Sequence, residues 1–508
     1  MSHESKPQRV HLQLQRVQTW LFAVPRLRAM VGANALLGKA LRVELPKLAR
    51  ETGRWVLAPS GEAYPAADPN DPLKAHDDPA VDAKDGILTR DGGHFEAQFA
   101  RGAETFADAA GQLLRTSLRG LRFQIWIDGD ERQKSHAHLS TELPVLAPCE
   151  WTGRGLASEI VPQGDDRPAV SLDVARRHEA AKQAKDGIAN DLASLLSATT
   201  KLANLNRAQE LKELVGSGYL ALIHADGNGV GSALTSDATV VERATFFHRN
   251  RVLLRRAVRK AIDRHCPSEG REPLIPLMLG GDDLLLVCRA EIALPFVVTL
   301  CKELAELQRE DAGGFKLTLG VGVVSAKHNI PIHRLHEVAE QLASSAKRRY
   351  RGLKDGGDEG RSVVDWAVYS TAWVDDPEDI RRRDWIRGAG QDLRVLSQRP
   401  VDVVGAGLRT LQGLVAGAES LKGAPRSQLR YLVDQLPRGR SLSDLAFAEL
   451  SKDARDALAG AGVGALWRRT SDNDPWLTDL LDLVEIAEIA KLGRSAEASC
   501  PAKEASHA

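Results

Sequence analysis

Leu277-Met278-Leu279-Gly280-Gly281-Asp282-Asp283-Leu284-Leu285-Leu286-Val287 reads as a β-hairpin, two apolar runs around a four-residue turn of two glycines and two carboxylates. Glycine tolerates positive φ and has no Cβ, so backbone can approach a ligand closely there. Adjacent carboxylates between hydrophobic strands are costly unless a cation neutralises them. Mg²⁺ or Mn²⁺ suits carboxylate oxygens and usually brings a nucleotide phosphate with it. Asp282 and Asp283 are therefore candidate metal ligands, and Gly280 and Gly281 candidate nucleotide contacts.

One turn is not a metal site, and the partner lies upstream in Tyr219-Leu220-Ala221-Leu222-Ile223-His224-Ala225-Asp226-Gly227-Asn228-Gly229-Val230-Gly231. A short apolar strand runs into Asp226 and then into glycines at alternate positions. Residues 240–265 predict a helix with Phe247, Leu254, Val258 and Ile262 on one face. Strand, helix and hairpin bring Asp226, Asp282 and Asp283 to one spot if the strands are neighbours in one sheet. Singly, the turn is an ordinary hairpin and Asp226 a helix cap; together, in this order, they favour a metal site. Ile292 to Leu307 marks a helix, 315–326 a strand broken by Gly320 and Gly322, Ile332 to Arg349 a helix, and 362–369 a further strand. The order β-α-β-β-α-β, with a helix and strand appended, is a ferredoxin-like palm. His224, in mid-strand, reads as a core histidine.

The first 130 residues repeat that order. Val10, Leu12 and Leu14 alternate, and a helical stretch through Trp20 to Leu45 is interrupted by Gly32 and Gly38. Residues 55–58 read as a strand, and 60–93, rich in Pro, Asp and Ala, as a mobile loop in which His76-Asp77 is a solvated pair. Phe95, Ala97 and Phe99 alternate, a helix covers 103–118, and Leu121, Phe123, Ile125 and Ile127 alternate again. The junction between its second and third strands reads Asp91-Gly92-Gly93-His94-Phe95, and no Asp ends its first strand. We read a duplicated palm whose first copy lacks the metal ligands.

The expected fold is thus α/β (α+β): a degenerate palm (1–130), a polar helical linker domain (131–216), the palm bearing Gly-Gly-Asp-Asp (217–372) and a helical C-terminal domain (373–508). In the last, Asp474 is read as the N-cap of a helix running through Trp476 to Gly493, with a disordered tail after Ser495. Lysine plus arginine equals aspartate plus glutamate at 68 each, so no global basic field advertises nucleic acid. Five widely spaced cysteines without a C-x-x-C pair argue against a disulfide framework and a zinc ribbon, and Cys149 reads as a buried small residue. No signal peptide or run of ~20 apolar residues is visible. A soluble, cytoplasmic protein with no membrane partner is expected.

Taken together, Asp226-Gly227-Asn228-Gly229, Gly280-Gly281-Asp282-Asp283 and the later Lys347 resemble the polymerase/cyclase palm of the large subunit of type III CRISPR effector complexes, and more distantly the GGDEF cyclases. The stretches Val17 to Leu21 and Gly32-Ala33-Asn34-Ala35-Leu36-Leu37 resemble its first palm. The resemblance implies that Asp226, Asp282 and Asp283 hold Mg²⁺ or Mn²⁺, with ATP as the substrate. Gly227, Asn228, Gly280 and Gly281 would then contact nucleotide, Lys347 its phosphate, and Gly32 and Asn34 an acceptor base. It implies (cyclic) oligoadenylate synthesis inside a ribonucleoprotein of other type III-like subunits, guide RNA and target RNA. Many members carry an acidic residue where this chain has Asn228, which bears on the number of metals. The family's nuclease domain uses a helical His-Asp constellation, absent before Val10, so no DNA cleavage is expected. A non-catalytic scaffold and a stand-alone signalling cyclase remain the alternatives.

Overall fold

The computed structural model describes residues 7–52, 54–55, 63–128, 133–134, 147–163, 166–185, 189–235, 237–309, 314–357, 360–369 and 376–492. Contact density divides the chain into two units. One comprises Met1–Leu211, Gly229–Glu272 and Pro276–Leu285; the other comprises Lys212–Asn228, Pro273–Ile275 and Leu286–Ala508.

The first unit is built on a sheet in which β1 (Gln8–Gln15) lies between β2 (His94–Arg101) and β3 (Arg122–Ile127), antiparallel to both. Arg54–Trp55 extends the sheet beyond β2, giving the ferredoxin-like strand order. Period-two alternation buries Val10, Leu12, Phe95, Phe99 and Phe123 on one face. Helix α2 (Ala103–Ser117) covers that face, its Phe106 ring 4.8 Å from Phe99 and 5.9 Å from Phe95. Helix α1 (Leu27–Lys39) packs on α3 (Leu172–Lys185). The strand expected at 55–58 lies mostly outside the described residues.

Two readings of this half need correction. Residues 63–93 form an ordered segment, with a helix at Pro79–Lys84 capped by the Asp78 side chain and a strand at Ile87–Thr89 on β2. His76-Asp77 is not a solvated pair, because Asp77 is only 2% exposed and is chelated by Arg251 and Arg255. Those arginines lie about 175 residues away, so no local pattern announces them. The stretch read as a polar helical linker includes a two-stranded sheet, Glu159–Ile160 with Ala169–Val170, besides α3 and shorter helices. Cys149 is buried, as read.

The second sheet is ordered β5 (Leu274–Gly280), β6 (Asp283–Arg289), β4 (Tyr219–Gly227), β7 (Leu319–Lys327), β8 (Val363–Tyr369) and Val401–Asp402. Its first four strands repeat the order of the first sheet. Between β4 and β5 runs α4 (Val240–His265), opened by a capping box of Thr239 and Glu242. Its buried face carries Leu254, Val258 and Ile262 as expected, but Phe247 is exposed. Helices α5 (Ala290–Arg309) and α6 (Ile332–Asp355) complete the motif. Strand β7 is not broken by its glycines: a Cβ on Gly322 would lie 2.0 Å from the Ala339 carbonyl oxygen of α6, so the glycines admit the helix.

The C-terminal residues are mostly helical, from α7 (Leu411–Ser420) to α8 (Leu480–Leu492). A small sheet of Ile386–Arg387, Arg394–Val395 and Trp476–Leu477 accompanies them. Asp474 therefore caps no helix. The Trp476 amide donates to Leu393 O at 2.8 Å, so the chain there is a strand and α8 begins at Leu480. Gly493 and the tail lie outside the described residues.

His224 is buried on β4, its ring stacked 5.8 Å from that of His336 on α6. Burial, together with His224, pushes the His336 imidazole down to about 3. Unfolded, it titrates near 6.5. Between those values the unfolded chain binds a proton that the folded chain refuses, so stability falls as pH drops below about 6.5. His336→Leu should remove about 2 kcal/mol of the stability lost between about pH 6.5 and 5, read from urea unfolding at each pH. Equal slopes in wild type and variant would mean that His336 protonates inside the fold.

Candidate metal centre

Strand β4 ends in two residues of opposite character, Asp226 and the buried Gly227. Its residues Leu220 to Ile223 are wholly buried, whereas the Asp226 side chain is 33% exposed. The hairpin is tighter than expected, since β5 and β6 run to Gly280 and from Asp283 and leave only Gly281 and Asp282 in the turn. Gly281 has φ +59°, at the position where a type II′ turn requires glycine.

Asp226, Asp282 and Asp283 converge. Each offers a carboxylate oxygen, and these atoms lie within 4.8 Å of one another, all three residues being half-buried. Three carboxylates that close repel each other and favour any cation that can enter. The donors are hard oxygens only, which fits Mg²⁺ or Mn²⁺ and does not fit a thiolate-seeking metal. An ammonium already lies against one of them, for Lys347 Nζ of α6 donates to Asp226 Oδ2, with the two side chains 25% and 33% exposed.

Asn228 is 1% exposed. Its amide nitrogen donates to Thr318 Oγ1 at 3.1 Å and its backbone N–H to Thr318 O at 2.8 Å. Its Oδ1 is buried without a hydrogen-bond partner, and a Cβ on Gly320 would touch both that oxygen, at 3.0 Å, and Lys347 Cγ, at 2.6 Å. An orphaned buried acceptor beside a lysine and a carboxylate cluster is the kind of atom that a bound group or water satisfies. Thr318 and Gly320 were missed in the sequence; the signal was the pair of glycines at alternate positions of one strand.

Two predicted contacts belong elsewhere. Gly32 sits inside α1, where a Cβ would lie 1.7 Å from the Arg177 carbonyl oxygen of α3. Asn34 is 7% exposed and donates to Asp191 Oδ2 at 2.8 Å. Close helix packing accounts for Gly32, and the hydrogen bond to Asp191 accounts for Asn34.

Lys347 competes with any metal for Asp226. Lys347→Met should tighten Mn²⁺ binding about three- to fivefold in the absence of nucleotide, the range of a partly exposed ion pair, as read by calorimetry. Weaker Mn²⁺ binding would show that the lysine supports the metal rather than opposing it.

Residues 219–355 match the family model described as Cas10/Cmr2, second palm domain. No curated protein matches the chain. Solved structures similar to it include the Csm1-Csm4 cassette in complex with pppApApA (TM-score 0.48, 13% identity, covering 95% of this chain and 69% of that one). The apo Csm1-Csm4 cassette gives 0.41 and 14%, with 96% and 70% covered. The cassette in complex with AMPPNP gives 0.39 and 13%, with 68% and 54% covered, so this chain spans about half the length of that one. The match over β4 to α6 contains all three carboxylates and Lys347. The chain thus carries, in residues 219–355, a palm domain of the Cas10/Cmr2 type.

Proposed function

We propose that the chain is a metal-dependent nucleotidyltransferase that joins adenylate units from ATP into a (cyclic) oligoadenylate. The observation that carries this reading is the convergence of Asp226, Asp282 and Asp283 within a Cas10/Cmr2-type second palm. The reaction is attack of a 3′-hydroxyl on the α-phosphate of ATP, with pyrophosphate leaving. A divalent ion held by the three carboxylates would lower the hydroxyl pKa and neutralise phosphate charge. The chain's own residues do the rest. The backbone at Gly280 and Gly281 lets the triphosphate approach the hairpin without a side chain in the way. Lys347, released from Asp226, supplies a positive charge to phosphate oxygens. We give His224 no role as a general base, because its ring is buried in the sheet-to-helix packing against His336.

In this reading the protein works beside other subunits of a type III-like CRISPR ribonucleoprotein, in the cytoplasm, with guide and target RNA controlling synthesis. It cleaves no DNA itself. Supporting the reading, the aspartate of the one adjacent His-Asp pair in its sequence, Asp77, is held in an ionic cluster by two arginines. The domain limits follow the sequence reading, with the catalytic palm at 217–372.

ATP and Mn²⁺ supplied to the purified protein, alone and with guide and target RNA, test the proposal. Oligonucleotide product only with RNA supports the complex, product without RNA a stand-alone cyclase, and none in either case a scaffold. Asp282→Ala with Asp283→Ala should abolish pyrophosphate release while leaving the circular dichroism spectrum unchanged. Wild-type yield from that double variant would sink the assignment.

A further inference from the structure

The glycine turn of the second sheet has a counterpart in the first, and within the first unit the two face each other. A Cβ on Gly280 would lie 3.8 Å from both the Cα and the N of Gly92. The turns thus stand backbone to backbone, a methyl group's breadth apart. Gly92 and Gly93 have φ +62° and +78°, a conformation that other residues adopt only under strain. The turn is tied to β1 by Leu14 N donating to Gly93 O at 2.7 Å, and closed by His94 N donating to Asp91 O at 3.0 Å.

Asp91, which opens this turn, is held from two sides. Arg42 donates to its Oδ1, and Arg251 Nε of α4 lies 3.8 Å from its Oδ2. Arg251 also grips Asp77 in a two-pronged pair at 2.6 and 2.7 Å. Arg255, one turn further along α4, reaches Asp77 at 2.6 Å and Asp71 at 2.9 Å. Arg42 in addition donates to His76 O. Burial alone would raise the Asp91 carboxyl pKa, but Arg42 and Arg251 outweigh it and hold it below the usual range. Three carboxylates and three guanidiniums therefore form one cluster, in which His248 Nδ1 also lies 3.5 Å from Asp77 Oδ2. Its geometry runs from the helix that follows β4 to the turn opposite Gly280.

We propose that Asp91 is a positioning residue for the carboxylate turn: clamped between Arg42 and Arg251, it fixes the Gly92-Gly93 turn against Gly280 and so sets where Asp282 and Asp283 stand. Planar guanidiniums suit this role, since a bidentate pair restrains direction as well as distance. The proposal rests on the reading of Asp226, Asp282 and Asp283 as metal ligands.

The test uses the full chain and Mn²⁺ itself, with free ion counted by electron paramagnetic resonance and folding followed by the melting temperature. Asp91→Asn keeps the shape and removes the charge, and should weaken Mn²⁺ binding about tenfold, as loss of a supporting residue behind metal ligands does. Asp91→Glu should recover most of that loss. Asp71→Asn, in the same cluster but away from the turn, should lower the melting temperature and leave Mn²⁺ affinity unchanged. If Asp91→Asn does not fold, Arg42→Lys, which keeps charge but loses the planar fork, is measured in its place with the same expectation. Wild-type affinity in the Asp91 or Arg42 variant, or an equal loss in Asp71→Asn, overturns the positioning role. No Mn²⁺ binding by wild type, or binding that survives Asp282→Asn with Asp283→Asn, overturns the metal reading and this inference with it.

Discussion

The approach of α6 to β7 is the constraint on which the candidate site depends. Gly322 and Gly320 leave no side chain between strand and helix, and a methyl group at either would strike the helix backbone or Lys347. Seated there, α6 carries Lys347 eight residues, or about 12 Å, beyond Ala339. The register does the rest. Gly320 pairs with Asp226 and Gly322 with His224 across the antiparallel β4–β7 ladder. A helix that crosses the two glycines in order therefore sets Lys347 over Asp226 and His336 over His224. One packing choice fixes both the lysine–carboxylate pair and the histidine stack.

The same packing explains why residue 228 is an amide here. Asn228 is buried against Thr318 and next to the Lys347 stem. A carboxylate at that depth would join three others nearby, and repulsion would raise its pKa or demand a further cation. The amide forms the Thr318 hydrogen bond without adding charge. The acidic count at this centre is thus three, with one of the three already sharing a lysine.

Most of the elements around the site were legible because their signals are local. The hairpin shows as apolar runs around glycines, β4 as a buried apolar run, and α4 from its first to its last residue through a helical period. What stayed illegible depends on partners far away in sequence. Asp77 looked solvated because its partners, Arg251 and Arg255, lie on a helix of the other half of the chain. The resemblance of their stretch to the family's first palm assigns Gly32 and Asn34 to an acceptor base, and only the positions of α3 and Asp191 show what they pack against. Trp476 looked helical because a Pro-led apolar run is a good helix start, yet its amide is claimed by Leu393 O. Phe247 followed the helical period and still faces solvent, since periodicity gives a face but not how wide its cover is.

The two sheets share a strand order, and among the described residues only the second gathers carboxylates. In the first, β1 ends at Gln15 and is followed by Arg16, so the strand-end acid that Asp226 supplies has no equivalent. The one acid at the first sheet's glycine turn, Asp91, stands before the glycines rather than after them, and two arginines already neutralise it. A metal there would have to displace guanidiniums from a buried cluster, and breaking such a pair costs about 3–5 kcal/mol. The charge of the first turn is thus used up in holding the turn itself. The second turn has Asp282 at its tip and Asp283 opening β6, both half-buried beside Asp226. The same topology thus gives a fixed support in one sheet and a carboxylate centre in the other, and the difference lies on which side of two glycines the acids are placed.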